Sequence, residues 1–191
     1  MKSTSKLILA SGSPRRRELL TRAQIDFEVV QSGLEEIREV HEGARDYALR
    51  MARDKALAVS RNHPARLVLA ADTVVECEGA ILEKPIDAPD ATRMLTALSG
   101  RTHTVVTAFS IASNGELIAH HAVISRVTFR TLSPEEIASY IATGEPFDKA
   151  GAYGIQGIGG GFISQVEGSR DNVMGLPSDE VIAALREHGI V

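Results

Sequence analysis

The sequence predicts an α/β fold in which a mixed, twisted sheet is flanked by helices, and three observations carry that expectation. Strand-length apolar runs alternate with segments of helical period, as where residues 67–75 follow residues 44–61. Two strand-like segments, residues 105–111 and 123–129, flank Asn114-Gly115, the residue pair that most favours a tight hairpin turn. Helices between strands imply crossovers, and crossovers together with one hairpin give a sheet that is neither purely parallel nor purely antiparallel.

Each element follows in chain order. Residues 6–10 form a short buried strand. Ser13-Pro14 starts a helix, with Ser as the cap and Pro at the first helical position, and the helix continues through Leu19 and Leu20. Residues 44–61 repeat apolar side chains at helical spacing through Ala48, Met51, Ala52 and Val59. The strand over 67–75 is almost continuously apolar and is interrupted by Asp72 and Thr73. Residues 90–98 make a short helix that stops before Ser99-Gly100. In the second hairpin strand Val123, Val127 and Phe129 share one face, and Arg126, Thr128 and Arg130 the other. Ser133-Pro134-Glu135-Glu136 opens a helix with a capping box, a Gly-rich segment runs from Gly151 to Gly161, and a last helix follows Pro177 and ends near His188-Gly189. No repeat or linker interrupts the 191 residues, so a single domain with two lobes is expected.

Composition narrows the function. The chain is 43% hydrophobic and 24% charged, which argues against disorder. Lys and Arg total 21 against 25 Asp and Glu, a net charge of −4. Broad nucleic-acid binding needs a basic surface, so it is disfavoured, while a local cation cluster for a small anion is not. The single cysteine, Cys77, rules out an intrachain disulfide, and its neighbours Glu76 and Glu78 disfavour a reactive thiolate. No apolar run approaches the length of a membrane span, and the run Leu7 to Ala10 is too short for a secretory leader, so the expected location is the cytoplasm with no membrane partner.

Some residues break the logic of their own element. Ser11-Gly12-Ser13-Pro14-Arg15-Arg16-Arg17 puts three arginines on a helix N-terminus, which ordinarily favours acidic residues. A solvated basic helix start is one reading. The other is an anion site that uses the arginines, both serine hydroxyls and the backbone N–H groups, on a strand, turn and helix arrangement suited to phosphate. Asp72 is a carboxylate inside an apolar strand, costly unless it is paired or binds a metal. Lys55 lies on the apolar stripe of its helix, either snorkelling outward or reaching an anion. Lys84, held extended by Pro85, and the loop pair Glu35-Glu36 are ordinary alone. The Gly-rich segment matches neither a dinucleotide fingerprint nor a Walker A loop. The histidines form no metal motif, and no serine-hydrolase elbow is present.

Taken in order, Leu9-Ala10-Ser11-Gly12-Ser13-Pro14-Arg15-Arg16-Arg17-Glu18-Leu19-Leu20, Ala71-Asp72-Thr73-Val74-Val75, Glu83-Lys84-Pro85, Leu98-Ser99-Gly100, Asp148 to Gly157 and Gly175-Leu176-Pro177 resemble the motifs of the Maf-like nucleoside triphosphate pyrophosphatases. The resemblance covers essentially the whole chain. It implies an elongated inosine triphosphatase-like fold with two lobes around a central cleft, a homodimer, and hydrolysis of a nucleoside triphosphate to monophosphate and pyrophosphate with Mg²⁺ or Mn²⁺. Asp72 is then the general base and, with Glu36, a metal ligand. Ser11, Ser13, Arg16, Lys55 and Lys84 bind phosphate. Arg15, Thr73 and Gln156 match the branch that acts on dTTP and UTP, and so carry substrate specificity. Two other classes remain open: a nucleotide-binding regulator of septum formation with little catalysis, and a nucleic-acid binder, which the acidic charge and the 4% aromatic content oppose.

Overall fold

The computed structural model describes residues 7–190. Strand β1 (Leu7–Leu9) is wholly buried and pairs in parallel with both β2 (Phe27–Val29) and β3 (Val68–Cys77). A strand inside a parallel set has no solvent face, which is why Leu7-Ile8-Leu9 is apolar without alternation. Strand β4 (Ala80–Leu82) folds back antiparallel on β3, and β5 (Thr102–Ser113), β6 (Glu116–Phe129) and β7 (Ile163–Glu167) complete the sheet in the order β2-β1-β3-β5-β6-β7. The sheet is therefore mixed, as expected, with β7 antiparallel to β6. Six α-helices are described: α1 (Pro14–Arg22), α2 (Ala44–Ser60), α3 (Ala88–Leu98), α4 (Pro134–Ala142), α5 (Arg170–Met174) and α6 (Ser178–Glu187).

Local chemistry sets the element ends. Asn114 and Gly115 both have positive φ, 51° and 77°, as a type I′ hairpin turn requires. The hairpin strands are longer than residues 105–111 and 123–129, because ladder pairing carries polar stretches such as Thr102 to Thr104 that apolar patterning does not mark. Glu78 and Gly79 repeat the device at the β3–β4 turn, with φ of 51° and 81°. Asp87 caps α3 by accepting the Asp90 N–H at 2.8 Å. Ser133 and Glu136 form the expected capping box on α4, at 3.2 and 2.9 Å. Ser133→Ala should therefore lower unfolding free energy by about 1 kcal/mol in urea melts, whereas exposed Ser164→Ala should be near neutral.

The described chain sorts into two compact units. One contains the residues up to Asp72, residues 107–123 and those from Gly175 onward, with a core of Ile8, Ala10, Ala56, Val59, Val68, Ala70 and Ala112. The other contains residues 73–106 and 124–174. Its core concentrates aromatic rings: Phe129 stands edge-on to Tyr153 at 4.7 Å and to His103 at 5.1 Å, and Tyr140 edge-on to Phe162 at 4.9 Å. His103 is buried there, with Nε2 at 2.7 Å from the Tyr153 hydroxyl and no partner for Nδ1. Cys77 is buried too, and desolvation first and Glu78 second push its thiol pKa up, consistent with an inert cysteine. No helix among the described residues is long and apolar enough to cross a membrane.

Candidate active site

The first unit gathers the residues that break local rules. Helix α2 presents a buried stripe of Ala44, Tyr47, Ala48, Met51, Ala52, Ala56 and Val59, and Lys55 falls on that stripe. Its side chain is buried, and its ammonium reaches Asp72 Oδ1 at 2.7 Å and Glu36 Oε1 at 2.5 Å. Asp72 is not at a strand end: it lies in the middle of β3 and is buried. Glu36 comes from a segment without helix or strand between β2 and α2. Two carboxylates thus share one cation, and Lys55 has two of its three donors engaged.

Helix α1 supplies the adjoining charge. Its first turn contains no acidic residue and three arginines. Arg16 Nη1 donates to Ser11 Oγ at 3.0 Å, and Arg16 Nε donates to the Gly175 carbonyl at 2.8 Å. Ser13 has the extended backbone of an N-cap, but its side chain makes no capping bond. The Ser13 N–H itself donates to Ser11 Oγ at 3.3 Å, and Pro14 brings no N–H to satisfy, so the cap expected from sequence is replaced by a serine-lined turn.

The electrostatics follow from burial. Desolvation raises the Asp72 carboxyl above its ordinary value, while Lys55 and Arg16 pull the other way. The result is a carboxylate more basic than a solvated one and held in place by an ammonium, which suits proton abstraction from water. Burial lowers Arg16 from the usual arginine value, opposed by Asp72 and Glu36 and reinforced by Arg15, so these four charges feel one another. A buried ion pair of this kind is poor evidence for stability.

Among the described residues, no group of three or more His, Cys, Asp or Glu side chains could hold a metal ion. The pair Glu36 and Asp72 nevertheless fits a hard cation. Their carboxylates lie close enough to share the Lys55 ammonium, and Mg²⁺ typically takes one or two carboxylates and completes its shell with water and substrate phosphates.

Hydrogen bonds and charge interactions link Ser11, Arg16, Glu36, Lys55 and Asp72, with Ser13 joined through its N–H and Arg15 through its charge. Thr73, Lys84 and Gln156 belong to the second unit. Thr73 is half-buried in β3, and Lys84 and Gln156 are exposed.

Two tethers escape a reading of the sequence. Arg50 on α2 holds the Glu42 carboxylate with both Nε and Nη2, at 2.7 and 2.6 Å, and donates to the Ile37 carbonyl, steadying the segment that carries Glu36. Glu145 accepts hydrogen bonds from Ile158 and Gly159 on the far side of the Gly-rich segment. Their signal was available only in part: Glu145 stands just ahead of the glycines, but long-range pairing has no sequence period.

A dTTP/UTP pyrophosphatase of Escherichia coli O157:H7 is 49% identical over 182 residues, which cover 95% of this chain and 92% of that protein. A dTTP/UTP pyrophosphatase of Geotalea uraniireducens (strain Rf4) is 48% identical over 192 residues, covering 100% and 99%. The solved structure of a HAM1 protein from Coxiella burnetii shares the fold, with a TM-score of 0.50 at 13% identity over 95% of this chain and 98% of that one. The family model described as Maf-like protein matches residues 6–188, and with these full-length relatives it shows that the chain belongs to the Maf-like family.

Proposed function

We infer that the chain is a nucleoside triphosphate pyrophosphatase that hydrolyses dTTP and UTP to the monophosphate and pyrophosphate. The observation that carries this reading is near-50% identity over full length to proteins of that name, in a chain whose Asp72, Lys55 and Glu36 are already assembled.

In this reading Asp72 takes a proton from the water that attacks the α-phosphorus. Lys55 holds the Asp72 carboxylate in position, and its third N–H remains for a phosphate oxygen. Arg15, Arg16 and Lys84 counter the charge that grows on the departing pyrophosphate, and Ser11 and Ser13 donate hydroxyl hydrogen bonds to phosphate. Glu36 and Asp72 would hold the divalent cation, Mg²⁺ or Mn²⁺, which when bound would neutralise phosphate oxygens and make the phosphorus more electrophilic. Family membership also supports a homodimer in the cytoplasm.

Gln156 and its branch companions Arg15 and Thr73 select the base. Uracil and thymine present acceptor, donor, acceptor along the pairing edge, and a glutamine amide offers one donor and one acceptor to match two neighbours of that row. A base with a different row leaves the amide unmatched.

The test is a panel of UTP, dTTP, CTP and GTP with Mg²⁺ or Mn²⁺, with pyrophosphate and orthophosphate measured separately. Pyrophosphate as primary product, and UTP and dTTP ahead of CTP and GTP, is expected. Orthophosphate as the primary product would sink the α–β cleavage. Gln156→Ala is expected to lower kcat/KM for UTP and dTTP far more than for the other two, and a uniform drop would remove Gln156 from base selection.

A further inference from the structure

Glu145 opens a short 3-10 turn (Glu145–Asp148) ahead of the Gly-rich segment. Its carboxylate is turned inward. Oε2 accepts the Ile158 N–H at 3.0 Å, and Oε1 accepts the Gly159 N–H at 3.2 Å and the Tyr140 hydroxyl at 3.0 Å. Its own carbonyl accepts Lys149 Nζ at 2.6 Å. One residue therefore joins α4, the turn and the returning limb of the Gly-rich loop.

The glycines make room for this carboxylate and for the loop's own backbone. A Cβ on Gly157 would lie within 2.6 Å of the Glu145 carboxyl carbon. A Cβ on Gly159 would lie 2.7 Å from the Tyr140 hydroxyl and 3.1 Å from the Gly154 backbone, and one on Gly160 2.5 Å from the Ile155 carbonyl oxygen. None of these three glycines has a positive φ, so space rather than dihedral freedom demands them. The loop doubles back between Gly154 and Gly160 with Ile155 and Gly159 buried, which leaves Gln156 exposed at its outer turn. Burial and the bond to Glu145 raise the Tyr140 pKa, so the phenol stays a donor to Glu145 at neutral pH.

We propose that Glu145 is a positioning residue for base selection, fixing from inside the loop the orientation that Gln156 presents to the nucleotide base. This rests on the reading that Gln156 discriminates bases. A carboxylate that accepts two backbone N–H groups and a phenol holds the loop before substrate arrives, so the nucleotide does not have to order it. Without that anchor the amide of Gln156 samples several directions, and discrimination falls before folding does.

The experiment compares kcat/KM for UTP and CTP in wild type, Glu145→Ala, Glu145→Gln, Gly157→Ala, Gln156→Ala and the double variant Glu145→Ala/Gln156→Ala, with thermal midpoints alongside. Gln156→Ala is expected to lower the UTP-to-CTP ratio roughly tenfold, the worth of about one good hydrogen bond. Glu145→Ala and Gly157→Ala should lower it comparably, the second by displacing the carboxylate without deleting it. Glu145→Gln, which keeps an acceptor oxygen, should recover part of the ratio, and the double variant should be no worse than Gln156→Ala alone, as coupled residues behave. If Glu145→Ala does not fold, Gly157→Ala and Glu145→Gln decide the matter. A wild-type ratio in the Glu145 and Gly157 variants, with the ratio lowered in Gln156→Ala, would overturn the positioning role and leave base reading by Gln156 intact. A wild-type ratio in Gln156→Ala would end both.

Discussion

Asp72→Asn is expected to retain nucleotide binding and lose turnover by roughly 10²–10⁴, the range for deleting a general base. The amide keeps the shape of the side chain but cannot accept the proton of the attacking water. It also removes one of the two carboxylates on Lys55, leaving Glu36 to hold that ammonium. The measurement is kcat at saturating cation with binding followed by calorimetry, and a variant with near-native kcat would dismiss Asp72 as the base. A pH profile adds a second reading. The base must be ionised, so kcat/KM rises with pH through the Asp72 pKa. Burial raises that pKa in the cation-free chain, so an acid limb is expected that vanishes in Asp72→Asn.

The second large effect is on stability and lies away from the chemistry. Burial lowers His103 from 6.5 to about 4. Between those values the unfolded chain binds a proton that the folded chain refuses, so stability is complete above 6.5 and is lost as pH falls toward 4. Closing that gap costs about 3 kcal/mol at one pKa unit per 1.36 kcal/mol. His120, also lowered by burial, acts with the same sign. Urea unfolding of wild type at pH 7 and at about pH 4.5 should show the loss. His103→Gln, which keeps a polar partner for Tyr153, should be weaker at pH 7 but fall less between the two. Parallel curves for the two proteins would show that His103 is not the titrating group.

What the sequence made legible follows from which physics is local. Hairpin turn, capping box and helical stripe are set by neighbours within a few residues, and Asn114-Gly115, Ser133-Glu136 and the run through Ala48 and Met51 were readable for that reason. Strands β2 and β4 are three residues each, too short for a period, and the β3–β4 turn uses Glu78 in a left-handed conformation where Asn or Asp would have announced it. The α5 helix was likewise unmarked, with Asn172 buried inside the segment. In the site, Asp72 betrayed itself as a charge in an apolar strand. Lys55 on the helix stripe fits either a snorkelling or a binding role by sequence, and only its bonds to Asp72 and Glu36 distinguish them. Arg50 and Glu145 were invisible because each makes sense only through a partner distant along the chain.

The bond from Arg16 to the Gly175 carbonyl spans 159 positions of sequence. On a ribosome the serine- and arginine-rich turn is made well before its anchor. At roughly 5–20 residues per second the guanidinium waits on the order of 10–30 s for the carbonyl that orients it. A nascent chain therefore carries Arg16 for that interval without the carbonyl that accepts from its Nε. If Arg16 binds phosphate as proposed, a chain released before Gly175 would lack the contact that orients its guanidinium.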